Sequence, residues 1–172
     1  MSYTLLLMRH AKSAWDDAGL EDFHRPLAPR GRRDGPRMGR WLQRQQLVPQ
    51  LILSSPATRA RQTALLTAEA MGGELEAVRF EPHLYEADPR QLLAVLHGAP
   101  DPIERLMVVS HNPGLELLIR ALTRGTISTP ADGKLMPTAA VAQLVADVPW
   151  HQWAFQGAEL LAITRPRQLP EE

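Results

Sequence analysis

The 172-residue sequence contains no cysteine, which excludes a disulfide framework, a thiolate zinc site and a cysteine nucleophile. It also lacks net charge: 19 lysines and arginines balance 19 aspartates and glutamates. The whole-chain field therefore offers no general attraction for nucleic acid or anionic lipid. Any anion chemistry has to be local. Lysine is scarce, with only two residues, so arginine supplies nearly all the positive charge. That suits forked recognition of phosphate or carboxylate, although high-GC coding bias gives the same preference. Long apolar runs are missing too. The first, Leu5 to Met8, is too short to span a membrane and has neither the basic leader nor the cleavage site of a secretory signal. A cytoplasmic protein with no membrane partner is expected.

The length and the 44% hydrophobic content suit one core, and hence a single domain over residues 1–172. Apolar strand-like runs (4–8, 50–53, 105–109, 139–145 and 159–163) alternate with segments of helical period (31–46, 57–71, 89–97 and 115–122). Such alternation predicts an α/β fold: a three-layer α/β/α sandwich on a mostly parallel sheet. The last two strands have no helix between them, which predicts an antiparallel edge. Residues 16–29, 72–81 and 124–137 read as surface loops.

Ser55 before Pro56 and Asn112 before Pro113 each read as an N-cap followed by proline in the first helical position. Helices starting there would direct unpaired N–H groups at the carboxyl edge of the sheet, where open α/β sheets bind ligands. The same edge receives Arg9 and His10 after the first strand, Arg59 after the second and His111 after the third long one. Each has an ordinary reading alone: a surface ion pair, a helix-face arginine, a structural histidine. Together, two guanidiniums and two imidazoles call for a multiply charged oxyanion, above all a phosphoryl group. His24, His83, His97 and His151 have no such placement.

RHAKS at 9–13, SSPATRARQT at 54–63, LYEAD at 84–88 and VVSHNPGL at 108–115 resemble the histidine phosphatase (phosphoglycerate mutase-like) superfamily, in its short branch of SixA-type phosphohistidine phosphatases. RPLAPRGRRDG at 25–35 and MPTAAVAQL at 136–144 are similar to further stretches of that branch. The resemblance implies that His10 attacks phosphorus as a neutral imidazole and forms a transient phosphohistidine. Arg9, Arg59 and His111 would hold the transferring oxygens. Ser13 and Asn112 are further phosphate-binding candidates, each with a local duty as rival: turn formation for Ser13, helix capping for Asn112. No metal and no cofactor is required.

Ala11 replaces the glycine that many members carry after the nucleophile. Glu86 is the candidate proton donor, its rival reading being a loop carboxylate paired with Arg25; Asp88 before Pro89 reads as a helix cap. Only about twenty residues join the second helix to Pro89, too few for a helical lid, so an open site is expected. An open site suits a phosphorylated protein, most simply a protein phosphohistidine, but also admits small phosphate esters. A general phosphomonoesterase and a catalytically lapsed phosphate-binding module are the alternatives. Trp41 reads as core, Trp150 and Trp153 as cover for the last hairpin, and Trp15 as a residue at the site entrance.

Overall fold

The computed structural model describes residues 1–170. Six strands form one sheet in the order β3-β2-β4-β1-β5-β6: β1 (Tyr3–Arg9), β2 (Leu51–Ser54), β3 (Val78–Phe80), β4 (Arg105–Ser110), β5 (Val141–Ala146) and β6 (Glu159–Thr164). The first four run parallel. β5 is antiparallel to β1, and β6 is antiparallel to β5. Four helices cover the two faces: α1 (Pro29–Arg44), α2 (Thr58–Ala70), α3 (Pro89–His97) and α4 (Gly114–Leu122). The three-layer α/β expectation therefore holds, with the antiparallel pair at one edge.

Side-chain alternation along β1 explains the layering. Leu5 and Leu7 enter a core with Leu92, Leu96 and Leu118 of α3 and α4. Leu6 and Met8 enter the opposite one with Met38, Leu42, Ala60 and Ala64 of α1 and α2. Successive residues of a strand face opposite ways, so a continuous run of buried leucines serves both layers. The buried face of α2 is small (Ala60, Thr63, Ala64, Thr67, Ala68), which lets α1 lie close against it.

Three expectations need correction. The stretch 72–81 contains the edge strand β3; three residues are too few for an alternating pattern to register. Ser55 and Asn112 do not cap their helices. The N-caps are Ala57 and Pro113, neither making a side-chain capping bond, because both polar side chains are engaged at the site described below. Asp88, by contrast, caps α3 in a reciprocal arrangement with Gln91. Trp150 and Trp153 are buried and stacked with centroids 5.1 Å apart, their indole N–H groups donating to the carbonyls of Ile103 and Val148. Trp41 packs half-buried against the core beneath α1 and α2.

Candidate active site

The site lies past the carboxyl ends of β1 and β4, neighbouring parallel strands whose register pairs Arg9 with Ser110. His10 and His111 are thus the next residue along each strand. Their rings stand 5.2 Å apart, tilted by 52°. The His10 backbone is pinned on both sides: its N–H donates to the Ser110 carbonyl, and Ala139 N–H donates to the carbonyls of Arg9 and His10. Ala11 N–H donates to Thr63 Oγ1, which donates in turn to the Arg59 carbonyl. That chain of bonds ties the His10 turn to the first turns of α2, where Arg59 sits.

The His10 ring has a defined tautomer. Nδ1 lies 2.8 Å from the Ala11 carbonyl, which can only accept, so Nδ1 carries the proton and Nε2 keeps its lone pair. Burial drives the His10 pKa down to about 3, opposed by the Ala11 bond and assisted by His111, Arg59 and Arg9. His111 is lowered to about 4, first by burial and then by Arg59. Both imidazoles are neutral near pH 7. His111 Nε2 lies 2.7 Å from Ser55 Oγ, which also accepts from Ala57 N–H. Ser55 therefore serves His111 as well as the backbone N–H of Ala57, the residue that opens α2.

A cavity of about 700 Å³ opens here, and every candidate named from the sequence lines it: Arg9, His10, Ser13, Arg59, Glu86, His111 and Asn112. Among the described residues, five buried side-chain polar atoms lack a hydrogen-bond partner. Four belong to this cavity: Arg9 Nε, Arg59 Nε, His111 Nδ1 and Asn112 Oδ1. Unpartnered buried donors are costly and rare in folded proteins. Two guanidinium Nε–H groups on the wall of one cavity mark a place where an oxyanion supplies the acceptors, and His111 Nδ1 joins them as a donor in the tautomer whose Nε2 accepts from the Ser55 hydroxyl.

The secondary candidates divide. Ser13 Oγ accepts from Arg25. Asn112 donates to the Met136 carbonyl at 2.8 Å, which also takes a bond from Arg9 Nη1. Glu86 lies on the wall with φ of 55°, a left-handed conformation uncommon for a residue with a side chain. Its proposed ion pair with Arg25 is not formed. Arg25 bonds Asp22 instead, through Nε at 3.2 Å and Nη2 at 2.9 Å.

Asp22 is the residue that sequence reasoning missed. Its carboxylate receives Arg25, Arg59 Nη2 at 3.0 Å and the Tyr85 hydroxyl at 2.7 Å, and its main-chain carbonyl takes Arg59 Nη1 at 2.7 Å. Partial burial resists its ionisation, but the bonds from Tyr85, Arg25 and Arg59 outweigh this and hold the carboxyl well below the usual carboxylate range. Tyr85 is pushed up to about 12 by burial and by its bond to Asp22. Trp15, exposed at the rim, stacks under Arg25 with the guanidinium carbon 3.5 Å from its ring centre. One wall of the pocket is therefore a linked series from Trp15 through Arg25 and Asp22 to Arg59 and Tyr85.

An open α/β sheet that sets two neutral imidazoles and three arginines at its carboxyl edge defines a phosphoryl-handling protein. Residues 5–92 match the model of the histidine phosphatase superfamily (branch 1), and the chain belongs to that superfamily. A Mycobacterium leprae protein of uncharacterized function is 31% identical over 93% of this chain and 100% of its own length. A Mycobacterium tuberculosis protein, also uncharacterized, is 36% identical over 83% of this chain and 89% of its own. Among solved structures, a Nakamurella multipartitia protein assigned as the phosphohistidine phosphatase SixA is similar with a TM-score of 0.82. It shares 26% identity and covers 96% of this chain and 97% of its own. The protein histidine phosphatase SixA in complex with tungstate shares the fold with a TM-score of 0.81 at 24% identity, over 97% of this chain and 99% of its own. Among the described residues, no helix is long and apolar enough to cross a membrane.

Proposed function

We propose that this phosphatase works as one domain through a covalent phosphohistidine on His10, and that its substrate is a protein phosphohistidine. The observation that carries the reading is the bare Nε2 of His10 beside the unpartnered buried Nε–H groups of Arg9 and Arg59 and the unpartnered Nδ1 of His111. In the first step the Nε2 lone pair attacks phosphorus and the bond from phosphorus to the leaving group breaks. Arg9, Arg59 and His111 hold the three equatorial oxygens as charge spreads over them. Glu86 supplies the proton that the leaving group needs, and Ser13 and Asn112 border the phosphoryl site. In the second step water passes a proton to the Glu86 carboxylate as its oxygen attacks phosphorus, the bond to His10 breaks with its electron pair returning to Nε2, and inorganic phosphate leaves with His10 again neutral.

A substrate presented by another protein suits the open approach. The connection between α2 and α3 holds only short 3₁₀ turns and β3, with no helix to roof the cavity. Solved neighbours described as phosphohistidine phosphatases of the SixA type support the same substrate class. A second reading, hydrolysis of small phosphate esters, is favoured by Glu86 on the cavity wall, since an alkoxide needs a proton donor more than an imidazole does.

The deciding experiment compares wild type with His10→Ala on a phosphohistidine peptide and on p-nitrophenyl phosphate, without added metal. Wild type should turn over and form an acid-labile phosphoenzyme, with inhibition by vanadate; His10→Ala should fold and do neither. Equal turnover by the variant would refute covalent catalysis at His10. An inert wild type would leave only the binding-module reading.

A further inference from the structure

Residues 136–138 form a partition between the phosphoryl pocket and a second cavity. On the pocket side the Met136 carbonyl accepts from Arg9 and Asn112. Thr138 lines both spaces, and from the far side Arg30 Nη2 donates to its hydroxyl at 3.4 Å. The neighbouring cleft, of about 370 Å³, is lined by five cationic side chains, Arg30, Arg37, Lys134, Arg165 and Arg167, against two carboxylates, Asp34 and Asp132. That excess of three positive charges stands on a chain with none overall.

The internal pairings do not remove the excess. Arg165 is nearly buried and fully engaged with Asp132 at 2.5 Å and with the Lys134 carbonyl. Arg167 shares the same carboxylate at 2.9 Å with its side chain 72% exposed. Asp34 is the nearest carboxylate to Arg30, at 3.9 Å, and the Arg30 side chain is 58% exposed. Arg37 donates to the carbonyls of Leu169 and Pro170, which carry no charge. Lys134 has no carboxylate within ion-pair distance among the described residues. Arg30, Lys134 and Arg167 therefore keep charge available at the surface, along a track that leads over Thr138 to His10.

We propose that this cleft is an acidic-peptide subsite, holding the aspartates and glutamates that flank the phosphorylated side chain of a protein substrate. The inference rests on the phosphatase reading above and adds to it how the partner is chosen. Charge complementarity of this kind acts on encounter and on binding, so it belongs in KM and in salt dependence. Exposed pairs are individually weak, about two- to fivefold each, and three together give about tenfold or more.

The test uses two phosphohistidine peptides of equal length, one flanked by glutamates and one by glutamines, with p-nitrophenyl phosphate as the flank-free control. Wild type should prefer the glutamate peptide by about tenfold in kcat/KM, through KM, and the preference should shrink as salt rises. Lys134→Gln with Arg167→Gln should cut it to the roughly two- to fivefold that Arg30 alone sustains, and Lys134→Glu with Arg167→Glu should reverse it, with p-nitrophenyl phosphate turnover unchanged in both. Equal use of the two peptides by wild type, or a preference that survives both double variants, overturns the subsite while leaving the phosphatase reading intact. No turnover of any substrate by wild type would defeat both.

Discussion

His10 and His111 face each other at 5.2 Å between ring centres, and both are neutral because burial opposes a positive charge on either. A nucleophile needs this state and an oxyanion donor tolerates it. A protonated His10 has no lone pair to give, whereas a neutral His111 can still donate one N–H to phosphate.

The pH dependence follows with a definite sign. The folded pKa values, about 3 for His10 and about 4 for His111, lie below the ordinary 6.5, so the unfolded chain binds more protons in between. The stability associated with the neutral rings is present above about pH 6.5 and is lost as pH falls through 4 and then 3. Imidazole resonances of both residues should therefore stay in the neutral form down to about pH 5. Midpoints near 6.5 in an NMR titration would contradict the burial argument.

Asp22 should matter through Arg59. Alanine at position 22 removes the acceptors of Arg25, Arg59 and Tyr85 at once, leaving only the main-chain carbonyl to hold Arg59. Bonds to charged groups contribute about 1.5–3 kcal/mol each. We expect kcat/KM to fall about ten- to hundredfold, inhibition by inorganic phosphate to weaken, and Asp22→Asn to restore part of the loss. Unchanged phosphate inhibition in the alanine variant would show that Arg59 does not depend on Asp22.

Glu86→Gln separates substrates by leaving group. Esters with poor leaving groups should slow by about 10²–10⁴-fold, the usual contribution of a positioned acid, while phosphohistidine slows far less. A Brønsted series of aryl phosphates measures this directly. Equal slowing across the series would remove Glu86 as the donor.

Gly114 lies against the main chain of Ala87, the neighbour of that candidate acid. A β-carbon built there meets the Ala87 carbonyl at 2.3 Å, so Gly114→Ala has to push apart α4 and the 86–87 segment. Overpacking of this kind costs about 1–3 kcal/mol, a fall of several degrees in Tm. Turnover of esters should drop more than that of phosphohistidine, since Glu86 moves with its neighbour. Thermal unfolding and the two substrate classes, measured together, check both halves.

Much of this was legible in the chain because the information was local or periodic. Strand ends at Arg9 and Ser110 place the residues that follow, and parallel order then brings them together. What stayed hidden had no local signature. Asp22 lies in a polar turn, and its partners Arg59 and Tyr85 are 37 and 63 residues away. Ser55 and Asn112 looked like caps because a polar residue before proline is equally at home at a helix start and in a site wall; the tertiary contacts with His111 and Met136 decided between them.

Because β1 and β4 are hydrogen-bonded neighbours, the gap between the two imidazoles is inherited from the strand spacing of about 4.8 Å that every sheet shares. The catalytic ruler is thus ruled into the backbone lattice itself. Insertions in the connecting loops can reshape the entrance and change which molecules reach it without altering that interval, so selectivity and bond-making chemistry can diverge independently in chains built on this frame.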